Sequence, residues 1–445
     1  MRRSPITRSA LGVAAVGLAA VYPLVEAVRI VVGRSHRYLY GDTALIELSA
    51  RRAADFNQLL GPYSRLGFHH PGPALFYLMA PFVTLLGSGP GVYLASILIS
   101  GAALVAMTAL VWRWAGATAA LWTVAAIDVY CLCVRVFTLR EPWNPYLVVA
   151  PMALLGLLAA GTVVGRRGAW IWAVAVASYE VQTHLSTGVV VVALVVLAGV
   201  AGLVRARRRR SWFASDGLGT ARIVGFVAVV AVWTAPAVEL VRDHPNNLTL
   251  LWRFYTSSHA QPSGSQALKA GANALAIVPF GNVDYVIVLS HPRWELAVTA
   301  LLLLACWAAT LLVARRRHQG LPVVLVAGAV VIAAGGIASL TRADGGINAY
   351  FATWLSTAPL LSLVGLLVAV LGRAQDPAME RTTESTRPAE PVHRRSGGSR
   401  MPAVLSAAGV LVAVVGTGLV VHSDLSMQSV RHVSLAPETA AAAFS

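Results

Sequence analysis

The chain has 445 residues, of which 57% are hydrophobic and only 12% are charged, and its mean hydropathy is +0.68. Soluble domains carry about 25% charged residues, so this composition excludes an ordinary soluble protein and indicates a chain embedded in lipid. The formal net charge of +16 comes almost wholly from arginine, and Lys269 is the only lysine. Because the arginines stand at the ends of apolar runs, we interpret them as topology signals and lipid-phosphate contacts, and we expect no nucleic-acid partner.

Long apolar runs predict about eleven transmembrane helices, since a spanning helix needs about 20 residues. The predicted spans are roughly 10–32, 91–112, 116–137, 145–164, 169–184, 186–204, 222–241, 295–314, 321–340, 350–371 and 402–421. The first run is longer than the apolar core of a cleaved signal peptide, so we expect it to remain as a helix with its N-terminus in the cytoplasm. The predicted fold class is an all-α integral membrane protein.

Two further apolar segments, 74–86 and 274–289, are short and interrupted by proline at Pro81 and Pro279. If neither spans, the positive-inside rule is satisfied, because every strongly basic segment falls on the cytoplasmic side. Those segments are Arg113, Arg166-Arg167, Arg205–Arg210, Arg315–Arg317 and 372–401. We therefore predict a multi-pass cell-membrane protein (inner or plasma membrane) with a cytoplasmic N-terminus and an external C-terminus. The two short segments are expected to be re-entrant or to lie on the membrane surface.

This topology divides the chain into three regions. Residues 1–371 form the transmembrane bundle, with large external loops at 33–90 and 242–294, and the first loop is expected to contain juxtamembrane helices. Residues 372–401 are rich in Pro, Ser, Glu and Arg and poor in apolar residues, which predicts a disordered cytoplasmic linker. Residues 402–445 supply a last transmembrane helix and an external tail.

The first external loop holds the most informative polar stretch of the chain, from Tyr38 to Pro73. Asp42 follows Gly41 and opens an apolar-periodic run, which is the pattern of a helix N-cap. An acidic residue at that position is more often a cap than a catalyst. The stretch also contains the doublet His69-His70, placed just before a Pro-Gly-Pro turn.

The order of these features resembles the GT-C superfamily of polyprenyl-phosphate-sugar-dependent glycosyltransferases. Gly41-Asp42 resembles the acidic motif of the family's first loop, with Thr43 where many members have Glu. His70-Pro71-Gly72-Pro73 resembles the family's His-Pro-Pro-Leu type of segment, with Gly72 where many members have a second proline. The likeness covers about residues 10–205 in motifs and the remainder in hydropathy only.

The resemblance implies a GT-C-like bundle whose functional face is external. It also implies transfer of a sugar from a polyprenyl-phosphate donor to a cell-envelope glycan, lipid or protein. Members of the superfamily include protein mannosyltransferases, aminoarabinose transferases and actinobacterial cell-envelope mannosyl- and arabinosyltransferases. The motifs specify neither the sugar nor the acceptor.

Such a transfer needs few groups, because a lipid-phosphate donor already carries a stable anionic leaving group. A base must take the proton of the acceptor hydroxyl, and cations must hold the departing phosphate. Asp42 is the predicted general base, and arginines are the predicted phosphate contacts, since guanidinium groups bind phosphate oxygens in bidentate fashion. Glu47, five residues further along a helix, points well away from Asp42 and is given a supporting or structural role.

Supporting or substrate-binding roles are expected for a set of polar residues on the external side. They are Glu47, Arg65, His69, His70, Arg140, Glu141, Asn144, His184 and Arg342. Each also has a structural interpretation. The histidine doublet is equally well explained as hydrogen-bonded loop residues, Arg65 and Arg140 as arginines that snorkel to the interface, and the pair Glu180 and His184 as contacts between helices.

No cofactor is predicted, because the sequence contains no metal-binding pattern. The three cysteines, Cys131, Cys133 and Cys306, all lie in apolar spans and form no C-x-x-C motif. A divalent metal is not supported by any motif. Two other classes stay open: a lipid or solute transporter, which should show internal repeats, and a ligase of the O-antigen type. The ligase would use the late external loop, which contains Arg242, His244, Arg253, His259, His291 and Arg293.

Overall fold

The computed structural model describes residues 5–33, 39–87, 89–166, 168–209, 220–257, 260–281, 290–373 and 401–434. Within these ranges the regular structure is helical, and no strand is present apart from an isolated antiparallel bridge between Tyr63 and His69. The prediction of an all-α protein is confirmed.

Seventeen α-helices follow one another in the described ranges. They are α1 (Pro5–Gly33), α2 (Asp42–Ala54), α3 (Ala74–Leu86), α4 (Pro90–Ala115), α5 (Ala117–Cys133), α6 (Asn144–Leu147), α7 (Val149–Val163), α8 (Ala169–Thr183), α9 (Gly188–Arg209), α10 (Thr220–Arg242), α11 (Asn247–Thr256), α12 (Gly264–Phe280), α13 (Arg293–Arg316), α14 (Gly320–Leu340), α15 (Ala349–Ala352), α16 (Thr357–Leu371) and α17 (Met401–Ser434). Short 3₁₀ turns at Val136–Leu139, Leu185–Thr187 and Thr353–Ser356 join some of them.

Nine helical stretches in the described part of the chain are long and apolar enough to cross a membrane. They coincide with nine of the predicted spans, so a multi-pass membrane protein is confirmed. The two other predicted spans correspond to α5, with 17 residues, and α8, with 15. At about 1.5 Å per residue these helices are only ~25 Å and ~22 Å long. They connect the same two ends of the bundle as their longer neighbours, and the count of eleven stays a prediction.

The basic helix ends meet at one end of the bundle, which we call the basic end. There Arg166 donates a hydrogen bond to the carbonyl oxygen of Trp114 at 3.3 Å, and the backbone N–H of Arg373 donates to that of Ala115 at 3.0 Å. The arginines at the described helix ends on this side are Arg113, Arg166, Arg205, Arg207, Arg208, Arg209, Arg222, Arg315, Arg316, Arg317 and Arg373. Residues 210–219 and 374–400, which hold the rest of the basic cluster and most of the predicted linker, lie outside the described residues.

Two helices, α2 and α3, occupy the loop between α1 and α4, where juxtamembrane helices were predicted. The α3 helix, which contains Pro81, packs on protein, because Leu75, Phe76 and Met79 are buried against α2 and α4. A short helix with this much buried apolar surface is stabilised by its neighbours and does not need to span. The second short apolar segment, 274–289, begins within α12, which ends at Phe280. Residues 282–289 lie outside the described residues.

The centre of the bundle is α7, which is buried around most of its circumference, whereas α10 and α13 present mostly exposed faces. Small residues allow neighbouring helices to approach α7 closely. A Cβ added at Gly156 would lie 2.7 Å from a side-chain methyl of Leu361 of α16, so the leucine would have to shift. Close approach over small residues is a common means of helix association in membranes, where the hydrophobic effect contributes little.

Candidate active site

A cavity of about 720 Å³ lies at the end of the bundle opposite the basic end. Its wall combines the C-terminal ends of α8 and α14 with the N-terminal ends of α2, α6 and α9, together with α11 and α15. The polar residues of the wall are Asp42, Tyr63, Ser64, Arg65, His70, Asn144, His184, Ser186, Tyr255, Ser339, Arg342, Asp344 and Tyr350. Six of the ten predicted site residues therefore line one cavity: Asp42, Arg65, His70, Asn144, His184 and Arg342.

Asp42 is the first residue of α2, and Gly41 occupies the N-cap position that the sequence pattern had indicated for Asp42. Gly41 adopts a φ of 55°, in the left-handed region that glycine tolerates best. The exposed carboxylate of Asp42 does not cap the helix. It accepts a hydrogen bond from the indole Nε1–H of Trp143 at 3.0 Å. The helix dipole favours a negative charge at this position.

Trp143 is a wall residue that sequence reasoning did not assign to the site. Its ring packs against Tyr146 and Tyr350, with ring centroids 5.1 Å and 4.8 Å apart. These contacts hold the indole, and the indole in turn orients Asp42. The only sequence signal for Trp143 is its place in the short external segment 140–144, beside residues that were predicted.

The histidine doublet splits between two environments. The backbone around His69 is extended and bridges to Tyr63, so neighbouring side chains point in opposite directions. The Nδ1 of His69 lies 3.0 Å from the carbonyl oxygen of Gly61, outside the cavity wall. His70 faces the bundle and is buried against His184. Only one histidine of the pair is therefore available to a ligand in the cavity.

His70, Asn144 and His184 form a buried polar cluster beneath the cavity. His70 Nε2 and the Asn144 amide nitrogen each lie 3.4 Å from His184 Nδ1. The backbone N–H of Leu185 donates to His70 Nδ1 at 3.0 Å. Burial, and to a lesser degree the neighbouring His184 and His69, lower the pKa of His70 well below its ordinary value. His70 is therefore neutral near pH 7.

The loop segment His70–Pro73 is fixed in place by α8 and α10. The side chain of Gln182 accepts a hydrogen bond from the backbone N–H of Ala74 at 3.2 Å and donates one to the carbonyl oxygen of Val232 at 2.9 Å. Gly72 packs directly on Gln182 and Pro236, and a Cβ there would clash with both. This close approach explains why residue 72 is a glycine.

Two arginines give the cavity positive charge. Arg65 comes from the loop between α2 and α3, and Arg342 from the loop after α14. The positive charge of Arg342 lowers the pKa of Tyr255 in the same wall, although burial raises that pKa more. The loop that carries Arg342 is attached to the second large loop, because Gly345 N–H donates to the carbonyl oxygen of Ala260 at 2.8 Å. Asp344, which sequence reasoning also missed, adds a second carboxylate to the wall.

Comparison with solved structures matches the chain to the crystal structure of ArnT from Cupriavidus metallidurans bound to undecaprenyl phosphate. The TM-score is 0.47 and the sequence identity 16%, over 93% of this chain and 72% of that chain. No protein-family model matches the chain, and no curated protein matches its sequence. The chemistry of this protein therefore has to be inferred from its own cavity.

Four predicted site residues lie outside the cavity wall: Glu47, His69, Arg140 and Glu141. Glu47 forms an ion pair with Arg51, one turn along α2, at 2.7 Å. Arg140 is buried within the bundle. Its guanidinium lies 2.9 Å from Asp424 and 3.4 Å from Glu26, so it bridges α1 and α17.

Of the described residues in the 242–294 loop, Phe254 and Tyr255 alone line the cavity. Of the loop's predicted charged residues and histidines, His259 lies outside the described residues and the others do not line the cavity. His291 is buried, and its Nδ1 lies 2.6 Å from the carboxylate oxygen Oε2 of Glu295. Among the described residues, no group of three His, Cys, Asp or Glu side chains comes together as in a metal site.

Proposed function

We propose that the protein is a membrane glycosyltransferase that moves a sugar from a polyprenyl-phosphate-linked donor to a hydroxyl group of a cell-envelope glycan, lipid or protein. The observation that carries this proposal is the composition of one cavity. It places the carboxylate of Asp42 and the guanidinium groups of Arg65 and Arg342 around one space at the end of a bundle of membrane-spanning helices. These groups are the ones that transfer from a lipid phosphate requires.

The reaction breaks the bond between the anomeric carbon of the sugar and a phosphate oxygen. The electron pair of that bond stays on the phosphate, and Arg65 and Arg342 stabilise the negative charge. The acceptor hydroxyl attacks the anomeric carbon while Asp42 takes its proton. The phosphate is already a good leaving group, so the mechanism needs no strong general acid.

The apolar part of the wall supports a lipid donor. Val189 and Val192 of α9 line the cavity and are 50% and 58% exposed. Val196 and Val200 continue the same face of α9 towards the basic end, with exposed fractions of 53% and 55%. An isoprenoid chain can follow this apolar face of α9 in the membrane while its phosphate reaches the polar wall.

The external face of the membrane is the proposed side of reaction. The cavity and the basic end lie at opposite ends of the bundle, and arginine-rich ends are retained in the cytoplasm. Nucleotide sugars are scarce outside the cytoplasm, which favours a lipid-linked donor on this side.

Asp42 is the proposed base in preference to Asp344, the second carboxylate of the wall. Trp143 gives Asp42 a hydrogen-bond donor that fixes one carboxylate oxygen and leaves the other for the acceptor. Asp344 has no such donor among the residues that the structure describes.

The test is transfer by the purified protein in liposomes, with a polyprenyl-phosphate monosaccharide as donor. We expect transfer from this lipid and none from a nucleotide sugar. Asp42→Asn keeps the size of the side chain and an acceptor for the Trp143 indole, so the variant should fold and bind the donor normally. Its transfer rate should fall about 100- to 10,000-fold, the usual contribution of a general base.

Glu47→Gln is the matched control, because Glu47 lies on the same helix but outside the cavity wall, and it should keep most of the activity. Asp344→Asn tests the competing carboxylate. A fully active Asp42→Asn protein beside an inactive Asp344→Asn protein would move the base to Asp344. Transfer from a nucleotide sugar without any lipid donor would refute the proposed donor class.

A further inference from the structure

The buried histidine cluster determines which nitrogen of each ring carries a proton. A backbone N–H can only donate, so the contact of 3.0 Å from Leu185 N–H makes His70 Nδ1 an acceptor. The single proton of the neutral His70 ring is therefore on Nε2. This nitrogen lies 3.4 Å from His184 Nδ1, towards which it donates.

His184 consequently has its own proton on Nε2. Its Nδ1 receives the proton of His70 and also faces the amide nitrogen of Asn144, a second donor, at 3.4 Å. Two donors directed at one nitrogen leave it unprotonated. The ring cannot rotate freely, because it stacks on Phe351 with an interplanar angle of 16°.

The Nε2–H of His184 then remains without a partner. His184 is only 3% exposed, and no described residue accepts a hydrogen bond from its Nε2. Glu180, one turn earlier on α8, is fully buried and is not hydrogen-bonded to this nitrogen. A buried donor without an acceptor is destabilising, so its presence in a cavity wall indicates a ligand that accepts from it.

We propose that His184 Nε2–H donates a hydrogen bond to a phosphate oxygen of the lipid donor, and that His70 is the positioning residue that fixes His184 in the donating tautomer. The proposal rests on the proposed function for the class of ligand. His184 stands at the junction of α8 and α9, beside the exposed valines that lead into the membrane, so the phosphate at the head of an isoprenoid chain reaches it. A phosphate oxygen accepts only, which matches a neutral donor.

The experiment measures binding of polyprenyl phosphate, polyprenol and inorganic phosphate to the full-length protein in detergent, with no sugar transfer involved. His184→Phe keeps the stacked ring but removes the donor. We expect it to weaken binding of polyprenyl phosphate about 10- to 100-fold, the loss of one hydrogen bond to a charged acceptor. Binding of polyprenol should not change. His184→Gln places an amide N–H near the position of Nε2 and should restore most of the affinity.

His318→Asn is the control, because His318 is exposed at the basic end.

Nitrogen-15 NMR of histidine-labelled protein supplies a readout that a purely structural role would not change. Polyprenyl phosphate should shift the Nε2–H signal of His184 while Nδ1 stays unprotonated, and polyprenol should not.

Several outcomes would overturn the proposal. One is a folded His184→Phe protein that binds polyprenyl phosphate with wild-type affinity. Another is an Nε2–H signal of His184 that does not shift when polyprenyl phosphate is added. A third is inorganic phosphate that competes as well as polyprenyl phosphate does, which would indicate a site for free phosphate. If His184→Phe fails to fold, the affinity of His184→Gln for polyprenyl phosphate and the NMR spectra of the wild-type protein still test the proposal. The two proposals can fail separately. If the wild-type protein transfers no sugar but His184→Phe still loses binding of polyprenyl phosphate, the proposed function is wrong and this inference is supported.

Discussion

At His70 a neutral imidazole is held against a second buried imidazole, His184, with ring centroids 5.0 Å apart. Protonation of His70 would place a charge in a buried site beside other histidines and would remove the Nδ1 acceptor of the Leu185 N–H. The pKa of His70 is accordingly well below its ordinary value, with burial as the main cause and His184 and then His69 as smaller ones.

This shift predicts that the protein loses stability in mild acid. Below about pH 6.5 the unfolded state binds a proton at His70 that the folded state does not, so the stabilisation is complete above that pH and falls below it. The apparent melting temperature should therefore drop between about pH 7.5 and 5.5, and less so in His70→Gln. An unchanged pH dependence in His70→Gln, equal to that of the His318→Asn control, would contradict the assignment.

At the scale of elements, α17 is attached to the bundle by a buried ion cluster near the cavity end. Arg140, which precedes α6, contacts Asp424 of α17 and Glu26 of α1, and all three side chains are almost fully buried. Arg29 joins the cluster through Glu26 at 2.6 Å. Among the described residues the cluster pairs two carboxylates with two guanidinium groups, which is the arrangement that makes buried charges tolerable.

Removing one charged side chain of this cluster should therefore lower the free energy of unfolding more than removing a balanced pair of opposite charges. Arg140→Met leaves an excess negative charge and Asp424→Asn an excess positive one, and each should destabilise the protein by about 3–5 kcal/mol. The double variant leaves the Glu26–Arg29 pair balanced, so its loss should be clearly smaller than the sum. A double-mutant cycle on unfolding in detergent measures this coupling.

The exposed pair Arg242–Asp243 provides the control for that experiment. Solvent screens such pairs, so Arg242→Gln should leave stability unchanged. Strictly additive losses for Arg140→Met and Asp424→Asn would show that the two side chains do not depend on each other.

At the scale of the whole molecule, charge and chemistry are separated along the bundle axis. Arginines gather at one end, and the cavity, with the proposed base Asp42 and two phosphate-binding candidates, occupies the other. The positive-inside rule therefore predicts that the cavity lies on the external side of the membrane.

A labelling experiment tests that orientation. In a variant without the three native cysteines, single cysteines placed within 205–221 or 372–401 should resist membrane-impermeant thiol reagents in intact cells. Cysteines at position 55 or 260, both exposed near the cavity end, should react. Reaction of the 205–221 cysteine from outside would invert the topology and place the proposed site in the cytoplasm.

The sequence by itself determined the membrane class and most of the helices. Lipid offers no hydrogen bonds to the backbone, so a spanning segment must be a continuous apolar helix, and this requirement is visible in hydropathy alone. The same pattern located the first large polar loop and predicted short helices within it. It was less informative for α5 and α8, which are short for spans because they are packed among other helices and end in turns.

Only the tertiary structure decided which polar residues meet. The first loop, the 140–144 segment, α8 and the loop after α14 are far apart in sequence and converge through helix packing, which no local pattern encodes. Successive side chains of an extended segment point in opposite directions, so His70 points into the bundle and His69 points away from it. Arg140, equally suggestive in sequence, was drawn into the bundle by two carboxylates on α1 and α17. Asp42 obtained its partner, Trp143, from 101 residues away, because a side chain's role depends on its neighbours in space.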